Sequence, residues 1–208
     1  MKPHNVLILP GWQNSGPEHW QSRWEALHGY LRVDQSDWMT PRRGDWMARL
    51  DEVLLGLDGP AVLVAHSLGC ILTAAWAAHS RHTDRVRSAL LVAPGDPEQE
   101  ALQVQLPSWS PVVLQPLPFR SVLVGSRNDP YCAFDKAQAL AAAWGSHFVD
   151  LGERGHITQR RLHILPAHIT HQALDVPAVR RRPGGEAPAQ RVTAVELRRD
   201  TRLLENAP

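Results

Sequence analysis

The sequence predicts an α/β protein built on a parallel sheet with helices on both faces. Three observations carry that expectation. Short apolar runs alternate with stretches of helical period, and such alternation requires crossover connections between parallel strands. One run, Ala-Val-Leu-Val-Ala at residues 61–65, is apolar without interruption, as expected of a strand covered on both faces. The length, 208 residues, suits one ordinary domain with a substantial core.

Asn-Val-Leu-Ile-Leu at 5–9 reads as the first strand. After it, Ser15, Gly16, Pro17 and Glu18 have capping-box spacing, with a proline that a first helical turn tolerates. Trp20, Trp24 and Leu27 then recur at helical spacing, and Gly29 ends the helix. A weaker strand, Tyr-Leu-Arg-Val, occupies 30–33. Beyond a loop with Pro41 and Gly44, Trp46, Leu50, Val53, Leu54 and Leu57 form the apolar stripe of a second helix. Asp58-Gly59-Pro60 breaks it. The third strand, 61–65, leads into a helix from about 68 to 79. Further strands are expected at 86–93, 121–126 and 147–151. A proline-rich loop, 94–118, joins the fourth to the fifth. A helix marked by Phe134, Ala137, Leu140, Ala141 and Trp144 joins the fifth to the sixth. No internal repeat is visible.

Hydrophobic residues make up 43% of the chain and charged residues 21%, which describes a soluble globular protein. A net charge of +1 gives no field that calls for nucleic acid or a membrane surface. The apolar run before Pro10 is too short for a signal-peptide core, and no stretch is long enough to span a bilayer. Cys70 and Cys132 fit no ligand spacing and read as reduced thiols of a cytoplasmic protein. Five of the eight tryptophans, Trp20, Trp24, Trp46, Trp76 and Trp144, sit at helical spacing and read as core. Trp12, Trp38 and Trp109 fall in loops, and Trp38 and Trp109 are the candidate walls of a substrate pocket.

The chemistry concentrates at Val-Leu-Val-Ala-His-Ser-Leu-Gly-Cys, residues 62–70. Ser67 falls where the third strand ends and a helix begins. A turn that tight strains the serine backbone and lifts its hydroxyl into the crevice at the carboxyl ends of the strands. It needs small residues two before and two after, here Ala65 and Gly69. The bland alternative is a serine that only caps the helix. A serine nucleophile needs a base, and the base needs an orienting carboxylate. In this architecture the order is serine, acid, histidine. Asp129 follows the fifth strand and His156 the sixth, so both emerge at the edge that carries Ser67. Asp96 and Asp135 are rival acids. His147 starts a strand at the wrong edge, and His163, His168 and His171 lie past the sixth strand. His66, a strand neighbour of Ser67, points to the opposite face and reads as a packed, hydrogen-bonded residue. The oxyanion donors are expected to be the backbone N–H groups of Leu68 and Trp12, with Gly11 allowing close approach.

The quoted stretch, with Leu-Pro-Gly-Trp-Gln-Asn-Ser-Gly-Pro-Glu-His-Trp from residue 9, Val-Ala-Pro-Gly-Asp-Pro-Glu from 92, Ser-Arg-Asn-Asp-Pro-Tyr-Cys from 126 and Gly-Glu-Arg-Gly-His-Ile from 152, resembles the retinoblastoma-binding-protein-9-like serine hydrolases. These are small α/β-hydrolases without a large cap. The resemblance runs from Val6 to about Ile157. It implies a three-layer α/β-hydrolase fold with six parallel strands in the order 2-1-3-4-5-6, and a triad at Ser67, Asp129 and His156. It implies hydrolysis of small esters or amides, so a small acyl substrate, and protein binding by some members. The competing expectation is a non-catalytic or impaired hydrolase fold that acts by binding a protein. No metal, nucleotide or flavin is implied, and no Gly-rich phosphate loop is visible.

After Ile157 the sequence departs from that family. Residues 158–208 hold nine arginines, no lysine and five acids, and lack the Trp-Pro pair that opens the family's last helix. The expected domain is therefore 1–157, followed by an Arg-rich tail, 158–208, partly disordered by composition. A reading-frame change near codon 158 is one origin for the break, and translating the other frames of the coding DNA checks it. Pro166 breaks the spacing of the tail histidines, which argues against a metal site. Arg180, Arg181 and Arg182 read as solvated.

Overall fold

In the computed structural model, which describes residues 5–158, six strands form one sheet in the order β2-β1-β3-β4-β5-β6. They are β1 (Asn5–Leu9), β2 (Leu31–Arg32), β3 (Ala61–Ser67), β4 (Val86–Pro94), β5 (Arg120–Gly125) and β6 (His147–Asp150). Every neighbouring pair is parallel. The helices are α1 (Trp20–His28), α2 (Arg43–Leu55), α3 (Leu68–His79), α4 (Glu100–Gln103) and α5 (Phe134–Trp144). The expectations for the tail, including its histidines and arginines, lie outside the described residues.

Strand alternation divides the core in two. On β3, Leu63 and Ala65 join a cluster with residues of α2, α3 and α5, including Trp46, Leu50, Ile71, Leu140 and Trp144. Val62 and Val64 face the other way, into a cluster with Trp20 and Trp24 of α1. This two-sided burial explains why β3 carries no polar residue before His66. Among the described residues no large cap interrupts the sheet. The connection between β4 and β5 holds only α4 and one turn of 3₁₀ helix at Pro107–Trp109. Among the described residues no helix is long and apolar enough to cross a membrane.

The first helix differs from its sequence pattern. It begins at Trp20, and its N-cap is His19, whose Nδ1 accepts from the backbone N–H of Gln21. Ser15 does not cap it. Its hydroxyl donates to Gln21 Oε1 at 2.7 Å instead. Leu27 stands 67% exposed, and the third buried position belongs to Gln21. A buried amide costs little where every polar atom is paired. Gln21 Nε2 donates to the carbonyls of Leu9 and Val64 at 3.1 and 3.0 Å, bridging β1 and β3.

Candidate active site

The chain passes from β3 to α3 with no intervening loop, and Ser67 is the corner. Its φ of 54° and ψ of −121° lie where side chains other than glycine are strained. As the N-cap residue of α3 it makes no side-chain cap hydrogen bond. Its hydroxyl is therefore not occupied in capping, and the bland alternative loses its support. Two glycines permit the turn. A Cβ on Gly69 would collide with the carbonyl oxygen of Leu9 and lie 2.9 Å from that of Pro10. One on Gly11 would lie 2.7 Å from Ser67 Cβ.

His156 lies in the segment after β6. Its Nδ1 is 2.9 and 2.8 Å from the two carboxylate oxygens of Asp129, and both side chains are largely buried. A carboxylate accepts, so Nδ1 carries the hydrogen of this contact, and Nε2 is the ring nitrogen that Asp129 does not engage. Asp129 Oδ1 also accepts from the backbone N–H of Tyr131 at 2.9 Å. Of the rival acids, Asp96 lines the same cavity as Ser67, but the carboxylate that holds His156 is that of Asp129. Asp96 Oδ1 accepts from the backbone of Glu98, and Asp135 Oδ1 from that of Lys136. His147 opens β6, at the other end of the sheet from His156.

Sequence reasoning missed the residues that hold the His156 segment. Ser126 Oγ accepts from the backbone N–H of Arg154 at 2.9 Å, and Asn128 Oδ1 from that of Gly155 at 2.7 Å. Their only signal is their position in the polar turn that contains Asp129. His66 is buried as expected, but it also reaches the His156 carbonyl, at 2.9 Å from Nε2. Burial holds its pKa well below the ordinary imidazole value, and the nearby His156 and His19 rings act in the same direction.

Ser67, Leu68, Trp12 and His156 line one cavity of about 230 Å³, whose apolar wall comes from Leu102 and Leu106. Trp38 and Trp109 do not line it, which corrects the expectation for both. Trp109 is fully buried, with Nε1 donating to the Pro41 carbonyl at 2.9 Å. It packs edge-on against Trp46 at 5.2 Å, and Trp38 packs on the same ring at 5.3 Å. The two indoles pin loops to α2, and a loop position does not reveal that.

A family model for serine hydrolases matches residues 6–165. The chain belongs to the serine hydrolase family. No curated protein matches this hydrolase significantly. Among solved structures, it is similar to a YdeN-like hydrolase from Pectobacterium atrosepticum, at 28% identity over 76% of this chain and 81% of that one, with a TM-score of 0.66. The ydeN gene product of B. subtilis is 20% identical over 75% and 89%, with a TM-score of 0.60. Est1E from Butyrivibrio proteoclasticus, solved with ferulic acid bound, is 14% identical over 83% and 89%, with a TM-score of 0.64. The last two show the shared fold.

In this serine hydrolase the loop after β1 is tied down from several sides. Trp12 Nε1 donates to the Met39 carbonyl at 2.9 Å, and the Gln13 backbone N–H to that of Trp38 at 3.0 Å. Arg32 of β2 donates to the Ser15 carbonyl at 3.1 Å and to Ser22 Oγ at 2.7 Å. Leu68 is the first residue of α3, so its N–H has no partner within the helix. Among the described residues no cluster of three His, Cys, Asp or Glu side chains is arranged to hold a metal ion.

Proposed function

We propose that this serine hydrolase cleaves small esters or amides through an acyl-enzyme, with Ser67 as nucleophile, His156 as base and Asp129 as its orienting carboxylate. One observation carries the reading: His156, held by Asp129, and the strained Ser67 corner line a single cavity. His156 Nε2 takes the Ser67 proton as Oγ attacks the acyl carbon. The resulting oxyanion accepts from the backbone N–H groups of Trp12 and Leu68. When the intermediate collapses, His156 returns the proton to the leaving group. Water then repeats the sequence on the acyl-serine and releases the acid. The cavity volume and its leucine wall suit a short apolar acyl group.

Within the family we place the chain with the retinoblastoma-binding-protein-9-like hydrolases, on the motifs around Ser67, Asp129 and His156. Two buried free cysteines support a cytoplasmic location. A fluorophosphonate probe tests the reaction directly. It is expected to label the wild-type protein at one site and to leave Ser67→Ala unlabelled. A well-folded wild-type protein that takes up no probe overturns the enzymatic reading.

A further inference from the structure

Beside the nucleophile stands a histidine that the proposed reaction does not use. His66 is 4% exposed, and its Nε2 lies 2.9 Å from the carbonyl oxygen of His156. A carbonyl only accepts, so Nε2 carries the hydrogen and donates. One residue further on, Trp20 Nε1 donates to the Ile157 carbonyl at 3.0 Å. Ile157 itself has a φ of 51°, uncommon for a β-branched residue, and its side chain is 2% exposed. Two buried ring N–H groups, one from β3 and one from α1, thus hold successive carbonyls of the segment that carries His156.

We propose that His66 is a positioning residue: its Nε2–H anchors the His156 main chain to the strand that ends in Ser67. The proposal rests on the reading of His156 as the base. Asp129 fixes the His156 ring through Nδ1, but a ring held at one atom still shifts with its backbone. The His66 bond removes that freedom. It also couples nucleophile and base through adjacent residues of a strand buried on both faces. The His66 and His156 ring centroids are 4.8 Å apart, and the His19 and Trp20 rings pack on His66 at 4.7 and 6.0 Å. Burial keeps His66 neutral, so no second positive charge stands beside His156 when that ring takes up the Ser67 proton. A displacement of about 1 Å in such a group is worth about 100-fold in rate.

The test uses full-length His66→Leu and His66→Gln. Leucine retains bulk without a donor, and glutamine carries an amide N–H near the Nε2 position. Active serines are counted by fluorophosphonate stoichiometry, and kcat and KM are measured on p-nitrophenyl acetate. His66→Leu is expected to lower kcat per labelled serine about 100-fold with KM within about twofold. His66→Gln is expected to recover most of that loss. A merely structural role would reduce the labelled fraction and leave kcat per labelled serine unchanged, which overturns the proposal. Equal losses in the two variants overturn it as well. Histidine-ring ¹H–¹⁵N spectra of the wild-type protein decide the case if the variants do not fold: an Nδ1–H tautomer at His66 overturns the proposal and the Nε2–H tautomer supports it. A wild-type protein that takes up no probe removes the base reading, and this proposal with it. Normal wild-type labelling beside normal turnover in His66→Leu removes this proposal alone.

Discussion

Ser67 holds its left-handed backbone only because nothing but hydrogen stands on the α-carbons of Gly11 and Gly69. The atoms that a Gly69 methyl would meet are main-chain carbonyls at the end of β1, which cannot rotate aside as a side-chain tip would. Gly69→Ala is therefore expected to cost about 2–3 kcal/mol, read as a fall in the urea midpoint, and to slow probe labelling at least about tenfold. Wild-type stability and labelling in that variant would show that the corner has slack. The Gly69 half of this constraint was legible in the sequence, because that glycine stands two residues after the serine, whereas Gly11 was read only as allowing close approach of the oxyanion loop. The donors that hold the main chain of the His156 segment were not legible. His66 is 90 positions from the carbonyl it holds, and Trp20 is 137 positions from its own. Spacing along a chain reports neighbours on one element. It does not report which distant main-chain atom a buried donor will find.

At the scale of elements, periodicity located β1, β3 and α3 well, since each is one uninterrupted pattern. It misread the start of α1. A Ser-x-x-Glu pattern is a valid cap, but Ser15 is already committed to Gln21, and the chain continues to His19 before the helix can begin. The observed cap makes this end of the molecule sensitive to acid. Burial, with the charges of His156 and Arg32, lowers the His19 pKa from 6.5 to about 4. Between those values the unfolded chain binds a proton that the native chain refuses. Stability is therefore complete above pH 6.5 and declines as pH falls toward 4. The full difference is on the order of 3 kcal/mol from this residue, and His66 adds a change of the same sign. Urea midpoints measured from pH 4.5 to 7.5 are expected to rise with pH in the wild-type protein. His19→Asn, which keeps a cap acceptor without a titrating ring, is expected to flatten that rise. An unchanged slope in the variant would assign the acid sensitivity elsewhere.

Over the whole molecule, the six-strand parallel sheet followed from alternation alone, while the loops that shape the cavity did not. The 94–118 connection reads in the sequence as a proline-rich loop with Trp109 as its one pocket candidate. It buries Leu106, Trp109 and Val112, and its Leu102 and Leu106 line the cavity. Among the described residues no cap domain deepens the site, so selectivity is expected to follow acyl length. On p-nitrophenyl esters, kcat/KM is expected to be highest for acetyl to butyryl groups and to drop at least about tenfold by decanoyl. A maximum at decanoyl would mean that a larger acyl site opens. The sequential placement of the site's parts also governs when the protein becomes competent during its own synthesis. Ser67 ends β3, whereas His156 and the segment bearing it are made after β6. At about 5–20 residues per second, the ribosome needs roughly 5–20 s to cover the 90 positions separating His66 from His156. On the proposed roles, a nascent chain carries Ser67 through the synthesis of β4, β5 and β6 before its base exists, and hydrolysis waits until β6 has been translated.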